Sequence, residues 1–189
     1  YEIGGKYRIT SQSLLSLALF KMDKENVLTT DPTDSNYQIT AGEVSSKGLE
    51  VDLETQLNDQ FSIRANYSYT DAQVEKDQIL AKGSRLSNVP KHSGSISSNY
   101  EWTLANADKV GLGATAIYVG KRSGHSTDND FNLPEYTLLN LNAYYAPTDQ
   151  LRYQFNVHNL LDETYYDASY SDMWIQPGDP LNASVSVQW

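Results

Sequence analysis

The sequence predicts an all-β fold, an antiparallel transmembrane β-barrel of which this chain supplies about nine strands. Apolar residues recur at every second position from end to end, where helical spacing does not. The residues between them form fully polar faces, which the interior of a β-sandwich would not tolerate. The connections alternate strictly between short and long, as in outer-membrane barrels with short periplasmic turns and longer extracellular loops.

Composition supports a wall with one apolar and one wet face. Of 189 residues only 39% are apolar and the mean hydropathy is −0.54, yet Tyr alone accounts for 14 positions. Disordered chains of this polarity are poor in aromatic and β-branched residues. No stretch approaches the roughly 20 apolar residues of a transmembrane helix; the longest apolar patch, residues 14–20, is interrupted by Ser16. The absence of cysteine excludes disulfides and thiolate metal sites. A net charge of −10 argues against a nucleic-acid partner, which requires a basic face.

Taken in order, the predicted strands are residues 1–9, 14–25, 37–57, 61–75, 91–104, 110–121, 136–146, 151–160 and 180–189. The second, fifth and sixth alternate less cleanly than the others. In the third, Leu49, Val51 and Leu53 alternate with Glu50, Asp52 and Glu54. In the fourth, Phe61, Ile63, Ala65, Tyr67 and Tyr69 alternate with Ser62, Arg64, Asn66, Ser68 and Thr70. Leu151, Tyr153, Phe155 and Val157 form one face of the eighth, with Arg152, Gln154, Asn156 and His158 on the other. In the ninth, Leu181, Ala183, Val185, Val187 and Trp189 alternate with Asn182, Ser184, Ser186 and Gln188. Short turns fall at residues 10–13, 58–60, 105–108 and 147–150, and long polar loops at 26–36, 76–90, 122–135 and 161–179.

This count predicts an open wall. The first and ninth strands run in the same direction, so they cannot close an up-and-down barrel, and single-chain bacterial barrels have even strand numbers. An odd number of further strands is expected ahead of Tyr1.

Five segments then resemble, in order, the barrel of TonB-dependent siderophore receptors. They are Ser46-Lys47-Gly48-Leu49-Glu50-Val51-Asp52, Asn88-Val89-Pro90-Lys91-His92, Tyr118-Val119-Gly120-Lys121-Arg122, Leu133-Pro134-Glu135-Tyr136-Thr137 and Asn159-Leu160-Leu161-Asp162-Glu163-Thr164-Tyr165-Tyr166. Leu181 departs from the pattern, standing where many members carry Arg after Pro-Gly-x-Pro. The resemblance, to receptors of the ferrichrome or hydroxamate type, implies that residues 1–189 are the C-terminal fragment, about nine strands, of a 22-stranded barrel in the bacterial outer membrane. It also implies a plug domain and a TonB-contacting segment, neither recognisable in this sequence. The implied function is uptake of a ferric siderophore with TonB-supplied energy, with iron present only as the chelate and no resident cofactor. The same architecture could serve haem, cobalamin or another nutrient, and a passive porin is the alternative from another class.

Tyr165, Tyr166, Tyr170 and Trp174 lie in a loop with Asp162, Glu163, Asp167, Asp172 and Asp179 and no basic residue. Tyr and Trp can stack on and hydrogen-bond to a bulky, partly apolar chelate, although loop or girdle packing uses the same residues. The acidic residues match no compact calcium loop and read as solvated. Leu181, Ala183, Val185, Val187 and Trp189 form a lipid-facing strand, and the resemblance adds a signal read by the outer-membrane assembly machinery, by edge pairing. His125 with Asp128 and Asp130 reads as a polar loop tip, His92 as the start of the fifth strand, and His158 as facing the lumen. No serine pairs with His158 in a nucleophile pattern, so no enzymatic activity is expected.

Overall fold

The computed structural model describes residues 1–125 and 128–189, with residues 128 and 129 described by backbone alone. Every regular element among the described residues is a strand: β1 (Glu2–Thr10), β2 (Ser13–Thr30), β3 (Gln38–Gln56), β4 (Phe61–Lys76), β5 (His92–Thr103), β6 (Lys109–Val119), β7 (Arg122–His125), β8 (Asp128–Leu133), β9 (Tyr136–Thr148), β10 (Leu151–His158), β11 (Tyr166–Ser171), β12 (Trp174–Pro177) and β13 (Asn182–Gln188). Nine of them form one antiparallel sheet in the order β1-β2-β3-β4-β5-β6-β9-β10-β13, with β1 and β13 at its two edges. These are the nine strands expected from the alternation, and the edges do not meet.

The long connections hold more structure than their polarity suggests. Residues 122–135, expected as loop, contain the hairpin β7–β8, and residues 161–179 contain β11–β12. Both hairpins carry register shifts, which break a period-two signal. β2 also runs to Thr30, beyond the expected end at residue 25. There the register shifts between Lys24 and Val27, around Asn26, which takes a positive φ of 58°. In the β2–β3 connection, the Thr33 hydroxyl and amide donate to Asp31 and hold its carboxyl below the ordinary carboxylate range.

Residues directly opposite in adjacent strands share a face, so register decides where the apolar set goes. Val185, Phe155, Ala143, Leu112, Tyr100 and Phe61 follow one another across six strands. Tyr67, Val51 and Leu17 continue the band, as do Tyr69, Leu49, Leu19 and Ile3. The reverse face carries Ser184, Asn156, Asn142, Gly113, Asn99, Ser62 and Gln56 in one register row. The blurred alternation of β2 has a packing cause. Phe20 lies on the polar face, over Gly48, where a Cβ would stand 2.6 Å from its ring.

The sheet has no interior of its own, and its apolar residues are exposed on an open face: Leu19 55%, Ile96 52% and Val185 72%. Most of the buried residues lie instead at the rim where the long loops gather. Ala72, Val74 and Leu133 are buried there with Asp71, Thr29, Ser84, Arg122, Ser123, Asn159 and Ser169. Residues of the β4–β5 loop add a short ladder to β4: Val74 donates to the Ser84 carbonyl, and Gly83 and Leu86 donate back to Val74 and Ala72.

Gly48→Ala tests this packing. The new Cβ would meet the Tyr69 carbonyl as well as the Phe20 ring, and backbone in a paired strand cannot move aside cheaply. The expected cost is about 1–3 kcal/mol, read as a lower temperature for the heat-induced gel-mobility change of the full-length protein. Gly5→Ala, whose Cβ meets nothing within 4 Å, should leave that temperature unchanged.

Candidate functional site

The loop rim is built by side chains that bond to the backbone of other loops. Asn159 ends β10 in the left-handed region with φ 50°, where Asn is tolerated better than most residues, and it is buried. Its Nδ2 donates to the carbonyls of Glu163 at 2.9 Å and Asp179 at 3.0 Å, and its Oδ1 accepts from the Glu163 amide at 2.8 Å. Its own amide donates to Asn140 Oδ1 on β9 at 2.9 Å. Asp162, φ 51°, accepts the Leu181 amide at 2.9 Å. The two ends of the last loop are thereby tied together at the mouth of β10 and β13.

A second set fastens the hairpins. Asn88, also left-handed at φ 63°, pairs with Ser169 as a strand neighbour would. Its Nδ2 donates to the Ser169 carbonyl at 2.8 Å and its Oδ1 accepts the Ser169 amide at 2.9 Å. The Asn88 amide donates to the Ser123 carbonyl at 2.9 Å, and the Ser169 hydroxyl donates to the Gly124 carbonyl. Arg122 is 2% exposed. Its guanidinium donates to the carbonyls of Tyr166, Asp167 and Pro134 and lies 5.4 Å from the centre of the Tyr136 ring. A buried cation is tolerable where its donors meet oxygen in this way. The β4–β5 loop and both hairpins are thus one hydrogen-bonded body.

The four loop aromatics separate into two roles. Tyr165 packs inward: its ring stands 4.5 Å from Tyr136, and it occupies the space a Cβ on Gly178 would need. Tyr166, Tyr170 and Trp174 are 38%, 82% and 75% exposed. Tyr170 and Trp174, with Ile175 and Pro177, line an open hollow of about 720 Å³ on the β11–β12 hairpin. Met173 at the hairpin turn is 91% exposed. The hollow offers ring faces and few fixed charges, a surface suited to stacking on an amphipathic ligand. It supplies no nucleophile–base pair.

Val185, Val187, Leu181 and Ala183 are exposed along the β13 edge. Leu181 and Trp189 fall just outside the strand, which is shorter than expected at both ends. The Asp128 side chain lies outside the described residues, so the polar tip with His125 and Asp130 is not described as a whole. Among the described residues no group of three or more acidic or His side chains is placed to hold a metal ion. His92 begins β5 as expected, with Nδ1 2.7 Å from the Tyr67 hydroxyl, and His158 lies opposite Asn182 on the polar face. Reasoning from sequence missed Asn88, Arg122 and Asn159 as the residues that hold the rim. All three stand in the motifs quoted above, which was the available signal.

The comparisons with known proteins agree with this geometry. A family model described as TonB dependent receptor-like, beta-barrel, matches residues 1–160. The metal-pseudopaline receptor CntO of Pseudomonas aeruginosa is 43% identical over 188 residues, covering 99% of this chain and 27% of that receptor. The ferrioxamine B receptor of Salmonella typhimurium is 30% identical over 197 residues, 100% of this chain and 27% of the receptor. Among solved structures, the siderophore receptor PiuA of Acinetobacter baumannii superposes with a TM-score of 0.81 at 26% identity, over 98% of this chain and 27% of that one. The chain thus spans about a quarter of the length of these relatives.

Replacing Asn159 by Ala leaves the carbonyls of Glu163 and Asp179 and the Glu163 amide without their partner at a part-buried site. The expected loss is about 1–3 kcal/mol, confined to the last loop. Proteolysis of the full-length protein should cut residues 160–181 faster, with the sheet intact. Unchanged cleavage would show that Asn159 does not hold the loop.

Proposed function

The chain belongs to the TonB-dependent receptor β-barrel family, outer-membrane proteins that include siderophore receptors, and on that premise we propose that it forms part of the wall and outer rim of an importer of ferric siderophores. The supporting observation is the nine-stranded antiparallel sheet with one continuous apolar face, whose long loops gather at a single rim. The apolar face lies against membrane lipid and the polar face lines the lumen. Tyr166, Tyr170 and Trp174 contact the chelate, while Tyr165 holds the hairpin that presents them. Energy arrives through TonB; the segment that TonB engages and the plug domain both lie outside residues 1–189.

Iron enters as a chelate and is cargo, so the protein needs no resident cofactor and performs no bond chemistry. The relatives are receptors, and a passive porin does not fit a TonB-dependent family. A second reading has specific support. The 43% identical relative is a metal-pseudopaline receptor, so a metal complex of that kind is the alternative cargo to a ferric hydroxamate.

Uptake of labelled metal decides between these cargoes in cells carrying the full-length receptor as their sole importer of this class. Accumulation from ferrioxamine B or ferrichrome supports the first reading, and accumulation from metal–pseudopaline alone supports the second. Uptake that persists without TonB would overturn both. Tyr170→Ala with Trp174→Ala should weaken chelate binding by about tenfold, given about 0.5–1.5 kcal/mol for an aromatic contact, measured by equilibrium binding to the purified receptor.

The lipid-facing assignment has its own test in neighbouring residues of β13. Val185→Arg places a charge in the apolar band, which costs about 2–4 kcal/mol at the bilayer midplane. It should reduce folded receptor in outer-membrane fractions, and Ser186→Arg should not. Equal loss from both would mean that the two faces do not separate lipid from lumen. Deleting Trp189 should lower insertion while leaving the thermal stability of assembled receptor unchanged, if the last strand is read by the assembly machinery.

A further inference from the structure

The polar face of the sheet is of two kinds. Across β1–β4 it is charged, with Lys6 and Arg8 on β1, Glu50, Asp52 and Glu54 on β3, and Arg64 on β4. Arg64 and Glu54 approach to 3.6 Å, both largely exposed. Lys6, Arg8, Glu50 and Asp52 have no ion-pair partner among the described residues. From β5 to β13 the same face changes character. Asn99, Gly113, Asn142, Asn156 and Ser184 form one register row, and Ser97, Thr115 and Asn140 belong to the next row loopward. Further loopward, Ile117 stands opposite Leu138. Between Glu101 and the loops, this half of the face carries no carboxylate, ammonium or guanidinium.

The polar groups of the uncharged half bond to one another. The Ser97 and Thr115 hydroxyls are 2.9 Å apart, Gln154 Nε2 donates to Asn156 Oδ1 at 2.9 Å, and Asn140 Oδ1 accepts the Asn159 amide. The surface is also of low relief. The Asn99 and Asn142 side chains lie across Gly113, where their oxygens take the place of a Cβ, and the Tyr144 ring lies across Gly111 in the same manner. The charges of these strands gather at the short-turn end and are engaged there. Tyr144 donates to Glu101, the Arg152 guanidinium lies 3.7 Å from the centre of the Tyr144 ring, and Lys109 stands 3.8 Å from Asp149. The uncharged half lies beneath the loop hairpins, since β7–β8 connects β6 to β9 and β11–β12 connects β10 to β13. A solute passes along a wall when each contact is favourable enough to admit it and weak enough to release it. Unpaired charges hold or repel a chelate according to its own charge, whereas paired hydroxyls and amides exchange hydrogen bonds with a hydrated solute at small net cost.

We propose that the chelate, once released from the rim, descends along the lumen face of β5, β6, β9, β10 and β13, and that the charged face of β1–β4 is not its path. The proposal rests on the importer reading and on the polar face lining the lumen. The experiment uses full-length receptor in cells with and without TonB, with iron-labelled ferrioxamine B and metal-labelled pseudopaline as probes. Thr115→Arg, Thr115→Glu and Ser184→Arg each place a fixed charge in the uncharged rows. Ser16→Arg places one on β2, where Lys6 and Asp52 are its direct neighbours in register. For the probe that wild type imports, the first three variants should slow TonB-dependent uptake per folded receptor by about tenfold, with binding to the purified receptor unchanged. Ser16→Arg should leave both unchanged.

A second comparison avoids any effect on folding. These 189 residues contain no cysteine, so Ser184→Cys and Ser16→Cys can each be modified with a charged thiol reagent after the receptor has assembled. Modification should slow uptake at residue 184 and not at residue 16. Equal slowing at both positions, or none at Thr115 and Ser184, overturns the path while leaving the importer reading intact. If wild type shows no TonB-dependent uptake of either probe, the importer reading falls and the path with it.

Discussion

Everything in this chain follows from pairing the backbone of nine strands in a single antiparallel register. A chain that crosses an apolar medium must satisfy its amides and carbonyls internally, and for extended segments this requires a neighbouring strand on each side. Register then does the sorting. Because a one-residue slip would exchange the two faces of a strand, the ladder that places Val185 beside Phe155 also keeps Ser184 beside Asn156. The long strands are consistent with this, since β2 and β3 at 18 and 19 residues outrun the roughly 9–11 residues that a tilted crossing needs.

The wall itself contains little buried volume, and close packing is concentrated at the loop rim. There the limiting problem is polar satisfaction more than apolar burial. Loops folded over one another bury backbone groups that have no strand to pair with, and Asn88, Arg122 and Asn159 meet them with side-chain amides and a guanidinium. Asn88 in particular takes the hydrogen bonds a neighbouring strand would give Ser169. This joins elements 81 residues apart in the chain.

That construction bears on transport. Exposed aromatics on a loop are useful for recognition only if the loop holds them in place, because ordering a floppy loop on binding subtracts from affinity. The hairpin carrying Tyr170 and Trp174 is anchored at its base by Tyr165 against Tyr136, and along its first strand by Arg122 and Asn88. The segments that resemble the receptor family are therefore, in the main, the fastenings of the rim.

The sequence by itself determined the fold class, the nine strands, their antiparallel order, the alternation of short and long connections, and the family. These are legible because a wall with one apolar and one polar face imposes a local, period-two code on every strand, read without knowing what lies opposite. The hairpins β7–β8 and β11–β12, the extension of β2 past Asn26, and the place of Phe20 over Gly48 were decided by tertiary structure. Each depends on a bulge or on a side chain from another strand, and neither leaves a local period. The same holds for the rim. That Tyr165 is a packing residue while Tyr170 stands free, and that Lys21 faces Lys47, follow from partners distant in sequence, which only the completed ladder brings together.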